Sequence, residues 1–90
     1  MNDSKKRTLA VAVAERIREL LATKNMTQYK FEYASGIPHG HLSQILYGRK
    51  DGRGKTVSLT TVAQIAIGFG LSMSQFLDSP IFSLEKIDID

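Results

Sequence analysis

Apolar residues recur at spacings of three and four along most of the chain. That is the mark of helices burying one face, and no stretch alternates for long enough to make a convincing strand. Five helical patterns follow in order. The first runs through Leu9, Val13, Ile17, Leu20 and Leu21, with Asp3 or Ser4 placed to cap it and a stop near Lys24 and Asn25. Thr27 can cap a short second helix whose inward side is Phe31 with Ala34. Gly36 closes it, because glycine takes the left-handed backbone without the penalty of a β-carbon, and Pro38 suits the opening of a third helix. In that helix Leu42, Ile45 and Leu46 point inward with Ile37 from the turn, which leaves His39, Gly40, Ser43, Gln44 and Tyr47 outward. Gly48 ends it. Ser58 caps a fourth helix with Leu59, Val62, Ile65, Ala66 and Phe69 on its apolar face, closed by Gly70. Ser72 or Ser74 caps a fifth that contains Phe76 and Leu77, and Pro80 marks the end of the compact part. The expectation is an all-α, compact five-helix domain over residues 1–79, followed by a tail over residues 80–90.

Length allows little more. Ninety residues make one domain, with no room for a separate catalytic or effector domain beside it. There is no cysteine, so disulfides and thiolate metal sites are excluded and a reducing cytoplasm is the expected compartment. The basic start leads into small apolar residues, but Glu15 and Arg16 break that run before it could serve as a signal core or a membrane span. Charge is unevenly divided. Residues 1–55 carry 11 Lys and Arg against 5 Asp and Glu, a net +6, whereas residues 56–90 carry a net −3. A basic front of this kind suits a polyanion, although an uneven solvated surface would look the same.

The second and third helices, joined by only Ser35, Gly36, Ile37 and Pro38, have the layout of a helix-turn-helix, which offers its second helix to the DNA major groove. Base edges in that groove carry donors and acceptors that uncharged polar side chains can read. Gln44 both gives and accepts, which suits adenine; His39 and His41 can donate to guanine or phosphate, and Ser43 can bond either way. Gly40 puts no side chain outward, so the backbone comes close to the duplex there or that base pair is left unread.

Thr27-Gln28 at the opening of the second helix, Gly36 nine positions into the motif counted from Gln28, Ile37, Leu42 and Ile45 at core positions, and Gly48 after the third helix resemble the Cro and phage-repressor (XRE) type of helix-turn-helix protein. The resemblance continues through SLTTVAQIAIGFGLSMSQFL, from Ser58 to Leu77. It implies a lambda-repressor-like fold and a regulator of transcription, a repressor, that binds double-stranded DNA as a homodimer. It also implies roles by position. Gln28 bonds a phosphate at the positive end of its helix, and His39, Gly40, Ser43 and Gln44 read bases. Tyr47 and the loop after it follow the DNA backbone. Two departures stand out. Glu32 replaces the alanine often found where the two helices touch, so its carboxylate must tilt to water or find a partner. Leu21 and Leu46 stand where many relatives have an ion pair, and an apolar contact between them is expected instead.

The loop RKDGRGK is longer than the usual family connection by about four residues. Its Arg49, Lys50, Arg53 and Lys55 can each neutralise a phosphate, or simply keep a surface turn soluble. Lys5, Lys6 and Arg7 are a basic arm or a solvated helix start. No enzyme, cofactor, metal or small-molecule ligand is expected: His39 and His41 point apart on a helix, the serines sit at caps, and the glycine loop lacks the strand and GK[ST] of a phosphate loop. The rival reading is a protein-binding module on the same fold, such as an antitoxin or anti-regulator. Beyond the fifth helix, Ile81, Phe82, Leu84, Ile87 and Ile89 are too apolar for a tail in water. They pack back on the domain or meet a second copy, and the alternation at Ile87 to Asp90 would suit an added strand.

Overall fold

The computed structural model describes residues 7–48 and 57–88. Its helices are α1 (Leu9–Thr23), α2 (Gln28–Ser35), α3 (His39–Tyr47), α4 (Leu59–Gly68) and α5 (Met73–Leu77). Local chemistry explains most of the boundaries. Thr27, Ser58 and Ser72 each accept a hydrogen bond from the backbone amide three residues on, and Gln75 returns a bond to Ser72, so Ser72 and not Ser74 caps α5. Gly36 and Gly70 adopt positive φ (74° and 70°) just past α2 and α4, where an L side chain would be strained.

The start of α1 differs from expectation. Its cap is Thr8, whose hydroxyl accepts from the Val11 amide at 3.2 Å, and not Asp3 or Ser4. The cause is a pairing invisible to periodicity: Arg7–Thr8 (β1) lie parallel to Ile87–Asp88 (β2), and that extended backbone cannot belong to a helix. Strands of two residues are too short to show an alternating pattern. Pro80 likewise begins further ordered structure instead of ending it. Two single-turn 3₁₀ helices, Pro80–Phe82 and Leu84–Lys86, carry the chain back along α1 to β2. Phe82 packs on Phe76 with ring centroids 5.9 Å apart, and Ile87 is buried, so much of the apolar tail is covered by its own domain. Leu84 remains 71% exposed, and Ile89 lies outside the described residues.

Ile17, Leu20, Phe31, Ile37, Leu42 and Ile65 are among the side chains of one continuous core. Leu46 belongs to it and Leu21 packs against it, which places the two leucines in one apolar cluster. Three inward assignments need correcting. Leu9 and Leu59 are exposed because each is the first residue of its helix; in the first turn of α4 the inward place is taken by Thr61, hydrogen-bonded to Ser58 Oγ at 3.1 Å. Ala34 faces solvent while Ser35 is buried, since Ser35 continues the face of Phe31 one full turn on. That face meets α4 at Gly68, where an added β-carbon would lie 2.7 Å from both the Phe31 ring and Ser35 Cβ. Beside it the Phe31 ring stacks on Phe69 at 4.4 Å. Arg16 secures the far end by donating to the carbonyls of Gln75 and Phe76, at 2.9 and 2.6 Å, which ties α5 to α1.

Gly68→Ala should therefore destabilise the fold by about 1–3 kcal/mol through overpacking, although alanine is the better helix former. Urea unfolding measures this, and an unchanged or raised midpoint would show that Phe31 can yield.

Candidate nucleic-acid interface

The backbone brings α2 and α3 together through Gly36, and Ser35 stabilises the turn by accepting from the Ile37 amide at 3.2 Å. Leu42, Ile45 and Leu46 are buried, so the remaining side of α3 faces outward. His39, Gly40, Gln44 and Tyr47 are exposed, with His39 73% exposed at its side chain, while His41 and Ser43 are half-buried. The residues expected to read bases thus share one face with Tyr47. The four cations of the following loop, Arg49, Lys50, Arg53 and Lys55, lie outside the described residues, as do Lys5 and Lys6. Arg7 is held in β1 and pairs with Glu15 at 3.3 Å.

Glu32 finds its partners on this face. Its Oε2 accepts from His39 Nδ1 at 2.6 Å and from Gln28 Nε2 at 3.2 Å. The Gln28 side-chain oxygen in turn accepts from the Tyr47 hydroxyl at 3.4 Å, and His39 Nε2 lies 3.5 Å from Ser43 Oγ. A single polar chain, Tyr47–Gln28–Glu32–His39–Ser43, therefore links α2 to both ends of α3. The hydrogen bond from His39, with smaller help from Gln28 and from the charge of His39, outweighs burial and holds the Glu32 carboxyl below its ordinary value of 4.5. Glu32 is thus an anion on a face whose expected partner is itself anionic, and His39 is its hydrogen-bonding neighbour there.

Arg18 is the residue that sequence reasoning passed over. Its guanidinium donates to the Leu46 carbonyl at the end of α3 and lies over the Tyr47 ring, 5.4 Å from the centroid. A signal was present: Arg18 stands one turn before Leu21, on the same side of α1. Gln28 and Tyr47, both expected at phosphates, hold each other, so the hydrogen bond orients both side chains.

A glycine-turned helix pair, with the second helix showing a polar face braced by the first, defines a helix-turn-helix DNA-binding domain. The chain belongs to the Cro/C1-type HTH DNA-binding domain family, whose model matches residues 16–80. Two solved structures share the fold. The prophage Lp1 protein 11 is 23% identical with a TM-score of 0.70, over 86% of this chain and 97% of that one. The restriction-modification controller protein C.AhdI from Aeromonas hydrophila is 21% identical with a TM-score of 0.60, over 74% of this chain and 94% of that one. No curated protein matches the chain. Among the described residues no three His, Cys, Asp or Glu side chains gather as a metal site, and no helix is long and apolar enough to cross a membrane.

The lowered Glu32 carboxyl has a consequence for stability. Its contribution is complete above pH 4.5 and is lost as pH falls through the depressed folded-state value. Glu32→Gln should accordingly lose less stability than the wild type between pH 6 and 3 in urea titrations; parallel curves would mean that the pair contributes nothing to folding.

Proposed function

We propose that the protein is a sequence-specific, double-stranded DNA-binding regulator of transcription, acting as a repressor in the cytoplasm, and that α3 reads the major groove. The observation that carries this reading is the polar side of α3, which stands exposed while the C-terminal segment packs along α1. Gln44 and Ser43 offer donors and acceptors to base edges, and His39 stands at the first turn. Gly40 has open space where a β-carbon would be, so the backbone can approach the duplex closely. Gln28 at the amino end of α2, His41, Tyr47 and the cationic loop residues Arg49, Lys50, Arg53 and Lys55 supply phosphate contacts. One reading helix contacts few base pairs, so a two-fold dimer on a near-palindromic operator is part of the proposal.

Selection from random duplexes should return an enriched motif, and its affinity should fall steeply as salt rises, because several phosphates are neutralised. Gln44→Ala should cost about 1–3 kcal/mol of discrimination at its base pair, whereas Arg53→Ala should weaken all duplexes alike. Binding that is insensitive to salt, or that prefers a protein partner, would favour the rival module.

Among the described residues of the C-terminal segment, Leu84 is the large apolar side chain that stands exposed and available to a second copy. Light scattering should give the mass of two chains for the wild type and of one for Leu84→Glu; equal masses would place the dimer contact elsewhere.

A further inference from the structure

Glu32 sits at the centre of the polar chain but is itself largely covered, with 16% of its side chain exposed. One route from it to a duplex runs through Gln28 and Tyr47 toward phosphate, and the route toward the base-reading side chains runs through His39. An ionised carboxylate only accepts hydrogen bonds, so the bond at 2.6 Å requires that Nδ1 of His39 carry a proton. The state of the other ring nitrogen, Nε2, then follows from the charge of the ring, and Nε2 lies 3.5 Å from Ser43 Oγ. Ser43 is half-buried on the expected reading face and has one proton to give. With that proton given to Nε2 the hydroxyl shows only lone pairs outward; with a bond accepted from Nε2–H, the proton is free to point outward beside the second lone pair.

We propose that Glu32 is a specificity-determining positioning residue that, through the His39 ring, sets whether the Ser43 hydroxyl offers DNA a lone pair or a proton. The proposal rests on the reading of α3 as the base-contacting helix. With neutral His39, Nε2 is a bare lone pair that accepts the Ser43 O–H, and Ser43 Oγ accepts from an amino group, N6 of adenine or N4 of cytosine. With His39 protonated, Nε2–H donates to Ser43 Oγ and the hydroxyl proton turns outward, where it suits guanine O6 and N7 or thymine O4. Of the described groups held in this chain, Glu32 on α2 is the charged neighbour of His39. Gln28 and Ser43 are uncharged, the Tyr47 phenol is bonded to Gln28, and Arg18 reaches in from α1 behind Tyr47. The site thus couples one base preference to one carboxylate that never touches the base.

The test combines two measurements on the wild type, Glu32→Ala, Glu32→Gln and Ser43→Ala. Nitrogen NMR of the imidazole in the free protein reports the tautomer, and duplex selection at pH 8 and at lower pH reports base preference. Wild-type His39 should show the Nδ1–H form at pH 8, with adenine or cytosine enriched at one position. At any lower pH where the imidazole spectrum shows both ring nitrogens protonated, that preference should move toward guanine or thymine by roughly fivefold to tenfold. Glu32→Ala should lose the Nδ1–H signature and shift the pH 8 preference in the same direction. Glu32→Gln, whose amide oxygen can still accept from Nδ1, should restore part of both. Ser43→Ala should flatten that position, and its response to pH, while leaving the others. An Nε2–H form in the wild type at pH 8, or a selected motif unmoved by Glu32→Ala, overturns the relay alone. A wild type that selects no sequence at low salt overturns the DNA-binding reading, and the relay with it. If Glu32→Ala does not fold, the wild-type tautomer and Glu32→Gln decide the question.

Discussion

The contact of Phe31 with Gly68 and Phe69 determines where α2 lies, and almost everything at the proposed interface is placed relative to α2. Phe31 is fully buried and its ring meets α4 at Gly68, where the ring and Ser35 Cβ occupy the space a β-carbon would need. Burying an aromatic ring of this size is worth a few kcal/mol, enough to outweigh the helix propensity lost at the glycine. Once α2 is seated, the left-handed Gly36 directs the chain into α3, and Leu42, Ile45 and Leu46 hold α3 against the same core. Polar contacts then refine a position that apolar packing has already chosen. Glu32 grips the first residue of α3 and Arg18 grips the last turn, so neither end can swing without losing a charge-assisted bond.

That bracing creates an electrostatic conflict, and the structure contains its answer. A carboxylate near a surface meant for phosphates would repel them, and a carboxylate covered by protein without partners would be costly. By accepting from His39 and Gln28, Glu32 avoids the second cost, while the first is offset only when the His39 ring is charged. The residues that look in the sequence like independent DNA contacts therefore restrain one another. Restrained side chains lose less conformational freedom on binding than free ones, which favours affinity and a narrower choice of bases.

Much of this was legible in the sequence, for definable reasons. The caps at Thr27 and Ser58, the turn at Gly36 and the inward stripe of α3 are local rules, set by residues three or four apart, and they appear where expected. The errors fall where a distant partner decides. Thr8 replaces Asp3 or Ser4 as the first cap because β2, some eighty residues later, draws Arg7 and Thr8 into a strand. Ser35 takes the inward place given to Ala34 because it lies one turn beyond Phe31, and the room that Gly68 leaves for its Cβ is a fact that no pattern within α2 contains. At the interface, the exposure of His39, Gly40, Gln44 and Tyr47 followed from periodicity alone. Their hydrogen-bond partners did not, since Glu32 to His39 and Gln28 to Tyr47 are contacts across the turn. A need for a partner at Glu32 could be stated from chemistry, but its identity required the fold.

The same geometry bears on the choice between a DNA reader and a protein-binding module. The centre of a protein-docking surface is enriched in aromatic and other apolar side chains that lose water together. On α3 the exposed face is instead made of His39, Gly40, Gln44 and the half-buried Ser43, with Tyr47 as its one aromatic residue. Among the described residues the exposed aliphatic side chains lie elsewhere, on Leu9 and Val11 of α1, Leu59 and Ile67 of α4, Leu77 of α5, and Leu84. Tyr29 and Tyr33 on α2 carry phenols that can donate to phosphate as readily as pack against a protein. A partner seeking an apolar anchor would find little on α3, whereas the proposed duplex would meet hydrogen-bonding groups on His39, Ser43, Gln44 and Tyr47.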